Sequence, residues 1–321
     1  MKKITITIAI IIFPVMYNQV NAQLGGLNRA VQRGVERAVE KKAEEKAEEA
    51  ASREIDKAFE RAEAEAERGA AEAEKGLNKL SDAIDEAQKA QEEADAKAAA
   101  MSEAIPDAGS APYTPSESEF TYIAMKKGAV QLFVSKDDKG KITAQTRNTI
   151  KEITGDKSAL AVAYQSEVLD AQGNPADKNN PLILNYRVVV SDGVMYLDMK
   201  GLFGAMAGLD GIEATGSPLK IPNNLSAGQT VPDASVRMRI GFVNCTAIIT
   251  EGICLAVEDV TVEAGIFRAY KISQKNNITA MGIKSEGTTL TWYVKGVGAV
   301  KTESYDKNNK LISVQELKSN N

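Results

Sequence analysis

Leu182-Ile183-Leu184-Asn185-Tyr186-Arg187-Val188-Val189-Val190-Ser191-Asp192-Gly193-Val194-Met195-Tyr196-Leu197-Asp198 is the stretch whose reading decides the fold. Leu182, Leu184, Tyr186, Val188 and Val190 recur every second residue, the period of a strand with one buried face. Asp192-Gly193 then supplies two residues that tolerate positive φ, the two-residue loop of a β-hairpin. Val194, Tyr196 and Asp198 continue beyond the turn. The same pattern extends in both directions. Upstream, Val130, Leu132 and Val134 lead to the turn Lys136–Lys141 and a polar strand ending at Ile150. Leu160, Val162, Tyr164 and Val168 run up to the turn Asp170–Pro175. Downstream, Val236, Met238, Ile240 and Phe242 alternate with Arg237, Arg239 and Gly241. Further strands read as Ile266–Ser273, Ile278–Lys284, Leu290–Lys295, Val297–Tyr305 and Leu311–Leu317. About 10 to 13 short strands with turns between most neighbours predict an all-β antiparallel meander, closed as a barrel or folded as a clam-like sandwich, over residues 120–318. Gly201–Leu209 (GLFGAMAGL) interrupts it. An apolar loop packed on the sheet is the plainer reading, and a lid or docking patch formed by Leu202, Phe203, Met206 and Leu209 is the functional one.

The chain ahead of this meander is a different physical object. Residues 23–104 contain no proline, one aromatic residue (Phe59), 14 Lys and Arg, and 21 Asp and Glu. Ala, Glu and Lys favour helix and offer little to bury, so this segment reads as a long charged α-helical arm. Leu77, Leu80, Ile84, Ala87, Ala94 and Met101 fall on heptad a and d positions, with Gln91 and Ala98 at intervening a sites. This is the pattern of a weak coiled coil, formed with itself or with a partner helix. Gly34, Gly69 and Gly76 break the arm into two or three helices. Residues 105–119, with Pro106, Pro112 and Pro115, read as a linker that leaves the next domain free to reorient. At the N-terminus, Lys2 and Lys3 precede a mostly apolar run from Ile4 to Val15. Val20 and Ala22 then supply the small-residue pattern of signal cleavage between Ala22 and Gln23. The run is shorter than the roughly 20 residues a spanning helix needs. The expected address is the periplasm or the outside of the cell, in association with the outer membrane.

A resemblance enters through the C-terminal half. Trp292-Tyr293-x-Lys295-Gly296-Val297-Gly298-x-Val300-Lys301 followed by Tyr305-Asp306 resembles the signature of the TapB-like or DUF3108-like exported proteins of bacterial envelopes. Pro232–Val236, Ala264-Gly265-x-Phe267-x-x-Tyr270-Lys271-Ile272 and Lys139–Ile142 fit the same family. The resemblance covers roughly the last 200 residues and implies an exported β-barrel or clam-like sheet with no defined reaction. Read without it, Gly296 and Gly298 suit a tight bend between strands, and Trp292 and Tyr293 point to opposite faces of theirs.

Composition narrows the chemistry. The 321 residues carry 39 basic and 44 acidic side chains, a formal charge of −5, which is not the footprint of a nucleic-acid binder. The absence of histidine removes Ser-His-Asp and Cys-His catalysis and every His-ligated zinc site. No motif asks for a cofactor or a metal. Asp137-Asp138, Asp170 and Asp306 lie where carboxylates serve turn geometry. Cys245 and Cys254, in an exported chain, read as a disulfide closing a small hairpin excursion, against two buried thiols. The expectation is a non-enzymatic envelope protein that binds or scaffolds a protein partner or a lipid-like, apolar ligand through its β domain. The rival is a secreted hydrolase using a pair of carboxylates that sequence does not single out. Two facing carboxylates in an open polar cleft would favour the hydrolase, and a closed or apolar-lined cavity would favour binding.

Overall fold

The computed structural model describes residues 81–175, 181–199, 213–240, 243–280 and 283–321. The cleavage residues Ala22 and Gln23, most of the arm, and the candidate lid residues Leu202, Phe203, Met206 and Leu209 lie outside the described residues. A helix, α1 (81–100), precedes fourteen strands. These are β1 (Val130–Asp137), β2 (Ile142–Gly155), β3 (Ala159–Leu169), β4 (Ile183–Ser191), β5 (Val194–Leu197), β6 (Glu213–Ser217), β7 (Leu219–Pro222), β8 (Thr230–Val231), β9 (Ala234–Ile240), β10 (Val243–Val262), β11 (Gly265–Ala280), β12 (Ile283–Val294), β13 (Gly298–Asp306) and β14 (Leu311–Asn320). All join one antiparallel sheet in the order β6-β9-β10-β11-β12-β13-β14-β1-β2-β3-β4-β5-β7, with β8 pairing on β10.

The expected all-β meander is thus the fold, and it is a nearly closed barrel. Its two edges, β6 and β7, are consecutive in the chain with only Pro218 between them. The chain therefore steps directly from one edge to the other. A proline at this seam sacrifices no ladder hydrogen bond, because Pro218 lies between the two strands, where no ladder partner calls for the N–H it lacks. The segment after α1 ties the seam together: Ser102 Oγ donates to the Gly216 carbonyl at 3.4 Å, and Glu103 pairs with Lys220 at 2.5 Å.

The deciding hairpin forms as expected. Asp192 and Gly193 take φ of 50° and 71°, both positive. Leu184, Tyr186, Val188 and Val190 are buried on one face of β4. The tight loop pairs Val190 with Met195 and Val188 with Leu197, so Met195 and Leu197 join that buried face. In β1 the buried residues include Gln131 and Phe133 as well as Val134. The strand runs in unbroken register with β2 from Val130 to Ser135, so Gln131 and Phe133 share the face that lines the interior, and the alternation Val130, Leu132, Val134 picks out the other face.

Three expectations are corrected. First, the strands are not all short. β10 has 20 residues and β11 has 16, and their ladder extends beyond the end of β12. The tip turns back onto β14, where Ala264 N–H donates to the Leu317 carbonyl at 3.2 Å, and Val260, Val262 and Ala269 cluster with Phe133, Trp292, Val300 and Leu317. Second, residues 105–119 are not a free linker. Tyr113 N–H donates to Ile153 at 3.0 Å and Gly155 N–H to Ala111 at 2.8 Å, while Ala108 is buried with Ala161 and Val189. The stretch thereby covers apolar side chains on the outer face of β3 and β4. Third, the compact unit that holds the sheet begins at Ala90, not at residue 120. Gln91 Nε2 donates to Thr246 Oγ1 at 3.1 Å, Asp95 pairs with Arg237 at 2.9 Å, and Ala98 is fully buried beneath Ser235. The heptad positions Gln91 and Ala98 are therefore spent on the sheet. A coiled coil through them is excluded, because the same surface cannot serve two partners.

Candidate functional site

The barrel interior holds a cavity of about 50 Å³. Tyr122, Phe133, Asn148, Tyr164, Tyr186 and Tyr293 are among its walls, together with Val188, Met195 and Leu197. The wall residues that lie on strands are set by alternation. Tyr164 on β3 and Tyr186 on β4 are directly paired, so their rings share one face and stack at 5.2 Å with an interplanar angle of 5°. Tyr293 enters from β12, opposite Tyr270 on β11.

Thr121–Met125 packs against the cavity, with Tyr122 and Ile123 in its wall. All five residues are buried although none belongs to a strand. This strap is held by the Gly296 N–H, which donates to the Thr121 carbonyl at 2.7 Å, and by Tyr122 Oη, which donates to the Asn223 carbonyl at 3.0 Å. Tyr164 Oη donates to the Ala124 carbonyl at 3.2 Å, and Thr121 is bonded to the Asn223 side chain. The Tyr122 ring meets Tyr270 and Tyr293 edge-on at 5.1 and 6.1 Å. The two signature glycines have a concrete role here. Gly296 and Gly298 have φ of 75° and 107°, and a Cβ on Gly296 would lie 2.7 Å from the Phe120 ring. Gly298 backs onto Tyr122 and Ile123. The bend between β12 and β13 is the seat of the strap.

Of the other signature residues, Tyr293 faces the cavity. Trp292 lies on the opposite face of β12. Its Nε1–H donates to Glu258 at 2.8 Å, and the ammonium groups of Lys271 and Lys301 stand 4.8 and 5.3 Å from its ring. Trp292 thus packs against the folded tip of the β10–β11 hairpin and serves architecture.

Electrostatically the cavity is neutral. Burial pushes the phenols of Tyr122, Tyr164, Tyr186 and Tyr293 far above their usual range. They remain uncharged donors and acceptors at any physiological pH. Among the described residues, no side chain lining the cavity is a carboxylate. Hydrolysis by paired carboxylates needs two of them flanking one bond, and this site does not supply them. Among the described residues no group of three or more His, Cys, Asp or Glu side chains converges to hold a metal. Asp137, Asp170 and Asp306 each accept backbone N–H bonds within their own turns.

The expected disulfide does not form. Cys245 and Cys254 are free thiols on one continuous strand, β10. Their separation of nine positions spans roughly 25–30 Å at about 3.3 Å per residue, far beyond the Cα separation of about 4.4–6.8 Å that a disulfide bridges. The stretch between them is ladder, not a hairpin excursion. Burial pushes both thiols up, helped at Cys245 by the Asp95 carboxylate.

Sequence reading did not find the strap or the tyrosine cluster. The strap is aperiodic, and its only signal is a short apolar run, Tyr122-Ile123-Ala124-Met125, directly after a proline-rich stretch. The tyrosines are scattered over four strands and the strap, and only the sheet order unites them.

The chain matches the DUF3108-like family model over residues 126–317, more than half its length, and it belongs to that family. Two solved structures share the fold. One is a candidate lipoprotein of Parabacteroides distasonis ATCC 8503, with a TM-score of 0.53 and 20% identity. The other is a candidate exported protein with a YmcC-like fold from Bacteroides fragilis NCTC 9343, with a TM-score of 0.53 and 18% identity. Each comparison covers 63% of this chain and 99% of the other. No curated protein matches the chain significantly.

Proposed function

We propose that this is an exported, non-catalytic envelope protein whose barrel holds a ligand in its lumen, with the arm ahead of Ala90 setting distance or self-associating. The observation that carries the reading is a cavity walled by neutral tyrosines and aliphatic side chains, free of carboxylates and covered by a strap that belongs to no strand. The N-terminal Lys2-Lys3, apolar run and Val20–Ala22 pattern supports export, as does the likeness to proteins described as exported or as lipoproteins. The seated strap leaves about 50 Å³, whereas ligand pockets run to about 300–1,000 Å³. A ligand therefore enters only when Tyr122 and Ile123 move out. A long lipid chain fits poorly unless a large part of the core moves with them.

The test is a titration of the mature chain with phenylnaphthylamine, a neutral fluorescent probe, comparing the parent with Tyr122→Ala. Saturable binding that tightens in Tyr122→Ala supports the lumen reading. Failure of both proteins to bind the probe, with both still folded, would overturn it. Turnover of chromogenic esters or glycosides by the parent would favour the hydrolase.

A further inference from the structure

One inner wall of the barrel is polar in a way that packing alone does not explain. On β11–β14, the face that carries Tyr293 continues along the strands as two cross-strand rows. Thr291, Thr302 and Gln315 are successive partners in one row, and Gln274, Thr289, Ser304 and Ser313 in the next. All seven are buried, with Ser304 at 0% and Ser313 at 1% exposure. A packed barrel would fill such positions with aliphatic residues. Here, moreover, Gln274 Nε2, Ser304 Oγ and Ser313 Oγ have no hydrogen-bond partner among the described residues, as is true elsewhere of Thr146 Oγ1 on β2 and Asn244 Oδ1 on β10. Native proteins leave few buried polar groups unpaired, because each costs about 1–3 kcal/mol. Three unpaired groups in one row, on directly paired strands, indicate that something outside the protein supplies their bonds.

The chemistry of that occupant follows from the walls. Neither row contains a charged side chain, so an ion would be buried without a counter-charge, at heavy cost. A purely apolar guest would leave every unpaired group unpaired. What suits such a wall is a neutral molecule with several hydroxyl groups on its edges and an apolar face. The tyrosine-walled cavity, whose lining includes none of the seven, offers the stacked Tyr164–Tyr186 pair and Tyr293 as the complementary surface. Successive side chains across neighbouring strands are about 4.8 Å apart, so the row Gln274–Ser313 spans roughly 14 Å and meets hydroxyls along a ring's edge rather than a single polar end.

We propose that the β11–β14 inner wall is a subsite for a neutral, hydroxyl-rich ligand of the saccharide class, seated between that wall and the tyrosines. It rests on the reading of the lumen as a binding site and replaces a lipid-like ligand with a polar one. Access again requires the strap to lift.

Saturation-transfer NMR and calorimetry on the mature chain would use glucose, maltose and N-acetylglucosamine, with glucuronate as the charged control. The expected result is saturable binding of at least one neutral sugar and none of glucuronate. Ser304→Ala with Ser313→Ala should weaken sugar binding about tenfold or more while leaving Tm unchanged or raised, because two unpaired hydroxyls are gone. Thr146→Val serves as the control for a fourth unpaired group. Absence of sugar binding to the parent, with phenylnaphthylamine still bound, would overturn the saccharide class and leave the lumen reading standing. Absence of both would remove both. A lowered Tm in the double variant with sugar affinity unchanged would show that the wall is only structural.

Discussion

Gly296 shows how a single residue links the chain's signature to its site. Its φ of 75° lies where only glycine is unstrained, and a methyl group there would strike the Phe120 ring at 2.7 Å. Gly296→Ala should cost roughly 1–3 kcal/mol, lowering Tm by about 2–4 °C per kcal/mol in a unit of this size, and should loosen the strap. Calorimetry together with phenylnaphthylamine fluorescence would check it, and an unchanged Tm would show that the strap does not depend on this seat. The thiols make a second residue-level prediction. Denatured without reductant, the exported protein should yield two titratable thiols, whereas the native protein should react slowly because Cys254 is wholly buried. Finding no thiols would restore the disulfide. A third concerns Glu119, which accepts from Tyr113 Oη at 2.5 Å and from the Ser116 N–H at 2.8 Å. Hydrogen bonds from Ser116 and Tyr113 pull its carboxyl down from 4.5 to about 2. A group whose folded pKa is depressed contributes stability above its unfolded value and loses it as pH falls through the folded value. Glu119→Gln should therefore flatten the fall of Tm between about pH 4.5 and 2 and lower Tm at neutral pH. An identical pH profile in both proteins would show that this network contributes nothing.

At the scale of elements, the C-terminal half of α1 belongs to the barrel unit. Ala98 is fully buried, Asp95 is bonded to Thr246 and paired with Arg237, and Ser102 and Glu103 bridge the β6–β7 seam. A chain beginning at residue 120 should thus be less stable than one beginning at residue 81, and Ala98→Leu should cost about 1–3 kcal/mol by overpacking. Comparing denaturation midpoints of the two truncations tests this, and equal midpoints would show that helix and barrel are independent. This element also marks how far the sequence could be read. Period-two alternation and Asp192-Gly193 revealed β3, β4, β5 and β9, because one face of each is buried and the other is not. The same reasoning misjudged β1, where the face carrying Gln131 and Phe133, not the more aliphatic face, lines the interior, and the Cys245–Cys254 stretch, which lies within a long, irregularly paired strand. It read α1 as solvated or self-associating, because a stripe of Ala and Gln does not say whether helix or sheet will cover it. The family was legible from Trp292, Tyr293, Gly296 and Gly298, but the function of the glycines was not, since the strap they seat lies about 170 residues upstream.

For the molecule as a whole, the antiparallel ladder leaves β6 and β7 as the two edges and brings them together across Pro218. That closure creates an interior, and the strap packs against its cavity. The interior carries the tyrosine cluster on one side and the Thr, Ser and Gln rows on another, and its cavity is about 50 Å³ while the strap is seated, well under the roughly 300–1,000 Å³ of ligand pockets. The central claim is that this interior is a binding site opened by the strap. The most direct test is the electron density inside the barrel of the mature protein purified from the envelope of cells that make it. The account predicts a guest between Tyr164–Tyr186 and the Thr291–Ser304 wall, with Thr121–Met125 displaced from Gly296. A lumen containing only ordered water on Gln274, Ser304 and Ser313, with the strap seated in every copy, would contradict it.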